Sequence, residues 1–153
     1  MTKERIISTL QEIELDKKYI QLCQEHCDFE GNANLTRKDV EPIIKSYDPA
    51  FRYILRDRTF MKEFLFEELT VRFFIDYKSG IVDFGYLIWK EGENHNYQKG
   101  DLAILTEMVN PTFNENLKYK RPIVSSVEEF NIVLSKIFEL FNSFKKKFEE
   151  RIS

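Results

Sequence analysis

Apolar and polar residues alternate with a period of two over residues 69–77. Leu69, Val71, Phe73, Ile75 and Tyr77 take the odd positions, Thr70, Arg72 and Asp76 stand between them, and a second apolar run from Ile81 to Trp89 follows. This is the period of a half-buried strand. Lys78-Ser79-Gly80 reads as a tight turn, because glycine takes the positive φ that short hairpin loops demand. Residues 69–89 therefore predict a central β-hairpin. The stretch 59–67 leads into it, with Phe60, Phe64 and Phe66 on one side and Lys62 as the exception. Propensity alone also fits a helix there, and direct continuation into the hairpin favours the strand.

Steps of three and four take over elsewhere. Ile6, Leu10, Ile13, Ile20, Cys23 and Cys27 fall near one face, with Lys17 as the break, and predict a helix over about 3–27. Thr36 with Asp39 resembles a cap for a short helix carrying Val40, Ile43, Ile44 and Tyr47, whose start Pro42 pushes towards Asp39 or Glu41. Asp48-Pro49 reads as a cap followed by proline at the first helical position, predicting a second short helix with Phe51, Ile54 and Leu55 inward. Residues 90–100 read as a polar loop. Asp101 then caps a short helix (Leu102, Leu105, Met108, Val109) or opens a fourth strand; the helix is preferred, ending at Asn110-Pro111. Residues 112–122 form a second polar stretch. Ser126 and Glu129 make a capping box in which each side chain serves the other's free amide. From there Val127, Phe130, Leu134, Ile137, Phe141, Phe144 and Phe148 mark a helix over about 127–150, roughly 36 Å long.

The elements add up to an α+β fold. An antiparallel sheet of three to four strands, centred on the hairpin at 69–89, is packed by an N-terminal helix (about 3–27) and a long C-terminal helix (about 127–150). Short helices are expected near 39–57. The 153 residues are read as one domain.

Composition narrows the class. Fourteen Phe in a chain with 42% hydrophobic residues exclude extensive disorder. A net charge of −3 argues against nucleic acid and anionic membranes as partners. No apolar run approaches the roughly 20 residues of a membrane span, and the start is charged and amphipathic, so the chain reads as cytoplasmic. Two Cys make no disulfide framework and suggest reduced thiols.

Candidate chemistry is sparse. Cys23, His26 and Cys27 on one helix, with His95 elsewhere, are the only metal candidates. Cys23 and Cys27 continue the face set by Ile6, Leu10 and Ile13, where free cysteine behaves as a small core residue. No cofactor is expected. The acidic pairs Glu67-Glu68, Glu128-Glu129 and Glu149-Glu150 are adjacent, whereas acid–base chemistry needs carboxyls converging on one cleft. Lys145-Lys146-Lys147 suits a helix C-terminus. No catalytic constellation assembles, so no enzymatic activity is expected.

Surface residues remain. Trp89, Glu91, Glu93, His95, Tyr97 and Asp101 place aromatics among acids next to the hairpin, a composition suited to a basic protein surface. The expectation is a non-catalytic intracellular protein-binding module, most consistent with a bacterial immunity-type protein that neutralises a cognate toxin by occluding a basic domain. The alternatives are a small ligand-binding or enzymatic domain with a pocket between helices and sheet, and a structural homodimer.

Overall fold

A computed structural model describes residues 3–66, 68–90 and 92–152, the side chains of residues 66, 93–97 and 151–152 excepted. Among the described residues the fold is α+β, with a five-stranded antiparallel sheet whose strands lie in chain order. The elements are α1 (Lys3–Glu12), α2 (Leu15–Glu25), α3 (Arg37–Tyr47), β1 (Arg52–Ile54), β2 (Thr59–Phe66), β3 (Leu69–Asp76), β4 (Asp83–Lys90), β5 (Glu93–Asp101), α4 (Leu102–Val109) and α5 (Val127–Ile152).

The hairpin stands at the centre of the sheet, β3 and β4 pairing from Leu69↔Lys90 to Asp76↔Asp83. Its connection is held down as well as turned. Val124 donates to the Gly80 carbonyl, Val82 donates to Pro122, and Ala33 donates to Val124. Ser79 and Gly80 both adopt positive φ there.

Strand pairing stacks side chains in rows. Tyr53, Phe60, Ile75 and Phe84 form one row on the inner face. Lys62, Phe73 and Tyr86 form the next. Ring contacts between strands and helices use this inner set. Phe73 meets Phe141 edge-on at 4.7 Å between centroids, and Phe84 meets Phe138 at 6.3 Å. Phe130, Val133, Leu134 and Ile137 of α5 are buried, each contributing on the order of 2 kcal/mol gross. No helix among the described residues is long and apolar enough to cross a membrane.

Several expectations are corrected. The helix expected over 3–27 is two helices, broken at Glu14, which has φ 57. Ile13 and Leu15 are both buried, and residues two apart cannot share one helical face. The break rotates the stripe onto Leu15, Tyr19, Leu22 and Cys23 and leaves Lys17 outside. The second short helix, expected after Asp48-Pro49, is strand β1. Asp48 instead ends α3, accepting from the Ala50 amide and from Lys62 Nζ at 2.5 Å. Pairing with β2 places Tyr53 against Phe60 at 5.3 Å, and Leu55 is 77% exposed.

The polar loop expected over 90–100 is largely β5. It supplies β4 with a backbone partner, which needs no apolar alternation at a sheet edge. The sheet thus has five strands where three or four were expected. Helix α3 starts at Arg37 and carries Pro42 within it, its first turn held by reciprocal Thr36 and Asp39 bonds. The preferred readings of 59–67 as strand and 101–109 as helix match β2 and α4.

Candidate functional site

The sheet has an outer face on which no helix packs through ring contacts among the described residues. Across it run Leu65–Thr70–Trp89, then Glu63–Arg72–Leu87, then Arg52–Met61–Phe74. The Arg72 guanidinium carbon lies 4.6 Å from the Trp89 ring centroid, and Arg72 also pairs with Glu63. Leu65 is 76% exposed beside them, while Phe74, Leu87 and Trp89 are half-buried. Hairpin symmetry about residues 79–80 would have found this arrangement, since it sets Thr70 opposite Trp89 and leaves Arg72 diagonal to it.

Of the residues expected to form a recognition loop, Trp89 lies on this face. Glu91 lies outside the described residues. Glu93, His95 and Tyr97 belong to β5 by backbone, with side chains outside the description. Asp101 is buried. Its Oδ1 accepts the Ile104 amide at 2.9 Å as the cap of α4, and its Oδ2 pairs with Arg121.

Arg121 also donates from Nε to Asp83 Oδ2 at 3.1 Å. Burial, followed by the nearby Asp101 charge, pushes the Asp83 carboxyl up to about 6, against the opposing pull of Arg121. These two acids, on β4 and at the end of β5, are the convergent carboxylate pair that adjacent-residue spacing could not reveal. They converge on an arginine, and neither lines the cavity described below.

The metal candidates are spent locally. Cys23 is buried, which raises its thiol to about 12. Cys27 Sγ donates to the Gln24 carbonyl at 3.4 Å. His26 donates from Nδ1 to Glu129 Oε2 at 2.6 Å, joining the end of α2 to the first turn of α5. Glu129 also accepts from the Ser125 amide and hydroxyl, so it serves Ser125 and not the expected Ser126. Ser126 Oγ does accept the Glu129 amide at 3.0 Å. Burial alone would raise the Glu129 carboxyl, but the bonds from His26 and Ser125 outweigh it and hold the group below its ordinary range. Among the described residues no three His, Cys, Asp or Glu gather where they could hold a metal ion.

A second feature had no signal in the sequence. Between the inner face of the sheet and helices α1, α4 and α5 lies a cavity of about 840 Å³. Val71, Phe73, Leu10, Leu105, Phe141 and Phe144 are among its walls, so the lining is aliphatic and aromatic. Lys3, Lys99, Lys145 and Glu149 also line it and are exposed, which places their charges at its mouth. Tyr86 lines it too, with a hydroxyl that makes no hydrogen bond among the described residues. The volume depends on where three helices settle, which periodicity cannot express.

What the fold defines is an α+β protein with a meander sheet covered by helices on one face. The chain matches no protein-family model, no curated protein and no solved structure.

Proposed function

We propose that this protein is a binding module that acts by covering a protein partner, in the manner of an immunity-type protein neutralising a toxin. One observation carries the reading: the outer sheet face sets Trp89 beneath Arg72, with the 76% exposed Leu65 in the same row two strands away, across Thr70. Trp and Arg dominate binding hot spots, and apolar residues rimmed by charge suit a protein contact. The net charge of −3 favours a basic partner, steering its approach.

The partner to try first is the product of the gene beside this one, with binding measured by surface plasmon resonance. Trp89→Ala should weaken it at least ~30-fold, the equivalent of a 2 kcal/mol hot spot. Glu91→Lys with Glu93→Lys should slow association and flatten its salt dependence. Parent-like binding by both variants, each shown folded by circular dichroism, sinks the reading. Light scattering of the protein alone tests the structural-homodimer alternative.

A second reading, a small-ligand carrier, has its own support in the cavity. Its volume lies within the ~300–1,000 Å³ of ordinary small-molecule sites. Its exposed charged groups stand at the mouth, and Lys62 in the wall is paired with Asp48, an arrangement that suits holding a molecule more than transforming one.

A further inference from the structure

We infer that the cavity takes a free single-chain amphiphile with an anionic head, a long-chain carboxylate, its chain inside and its head at the lysines. This rests on the carrier reading and adds the chemical class of the ligand. The walls supply no charge below the mouth except Lys62, and its ammonium is already held by Asp48 at 2.5 Å. An alkyl chain is therefore matched over its length, with no polar atom left to desolvate against an unpaired wall.

The mouth is asymmetric in charge. Among the described residues Lys3, Lys99 and Lys145 make no ion pair, and Glu149 is the single acid that lines the cavity with them. This positive rim stands on a protein of net charge −3, so it is a local departure from the molecule's overall sign. It selects an anion and disfavours a cation at the same point. The Tyr86 hydroxyl, which makes no hydrogen bond among the described residues, adds one donor for an oxygen of the head group.

Isothermal titration of the full chain with alkanoates of ten to sixteen carbons, held below their micellar concentrations, reads both parts of the inference. Each methylene buried in the cavity should tighten binding about fourfold. The carboxylate should bind at least threefold more tightly than the alcohol of equal length, and the trimethylammonium amphiphile least tightly. Lys3→Ala with Lys145→Ala should bring carboxylate affinity down to that of the alcohol and leave the alcohol unchanged.

Equal binding of alcohol and carboxylate, indifferent to the lysines, overturns the anionic head while the carrier reading stands. Absence of saturable binding by every amphiphile overturns both. Binding of phosphatidylglycerol vesicles without binding of monomers also overturns the inference, because the lysines would then serve a membrane surface.

Discussion

Arg121 gives Asp101 hydrogen bonds from Nε and Nη2 and gives Asp83 one from Nε, and Asp83 Oδ1 is buried with no partner among the described residues. Asp83 is thus the undercompensated member of the pair, which is why desolvation outweighs the guanidinium. Its folded pKa of about 6 lies above the ordinary aspartate value of 3.8. Its contribution is therefore fully present below pH 3.8 and lost as pH rises through 6. Thermal unfolding from pH 4 to 8 should show Asp83→Asn equal to the parent near pH 4 and more stable at pH 7.5. Parallel curves would refute this account. Glu129 runs the other way: its depressed carboxyl contributes above its ordinary range and loses that contribution in acid. The Asp83 behaviour was not legible in the chain, because Asp83, Asp101 and Arg121 meet only once β5 pairs with β4; the capping role of Glu129 was legible, but its His26 partner, 103 residues away, was not.

The hairpin turn shows at the level of one element why the sheet's centre was readable. Alternation and Gly80 pointed to the same turn, and local chemistry agreed with the global fold. What the turn touches was hidden. A Cβ at Gly80, φ +73, would lie 2.7 Å from the Val124 carbonyl oxygen and 3.1 Å from Ala33 backbone. Gly80→Ala should therefore cost on the order of 3 kcal/mol, combining left-handed strain with overpacking. Gly92→Ala, at φ +82 with nothing within 4 Å, should cost only about 1 kcal/mol. Urea midpoints of the two variants make the comparison, and equal losses would contradict it. The elements that misled were those where backbone pairing overrode side-chain pattern. Edge strands β1 and β5 need only a neighbour's free amides and carbonyls, so Asp48-Pro49 and the polar run over 93–100 carried the wrong signals.

At the scale of the whole molecule, the long C-terminal helix and the aromatic inner face were legible because both follow from periodicity. The cavity was not, since it is the space left when α1, α4 and α5 meet the sheet from different parts of the chain. A ligand that fills it only in the folded state must stabilise the fold by mass action. At 100 times its Kd an alkanoate should contribute about 2.7 kcal/mol and raise Tm by about 5–10 °C. Scanning fluorimetry that finds no shift at saturation, with binding proven by calorimetry, would mean that the alkanoate binds the unfolded chain as well as the folded one and needs no cavity. The break at Glu14 bears on how such a site is closed. Helix α1 supplies Lys3, Ile6 and Leu10 to the walls, yet it joins α2 through one left-handed residue at φ 57. The turn at that joint brings Leu15 of α2 onto the same walls, so two separate helices, and not one straight rod, close that end of the room.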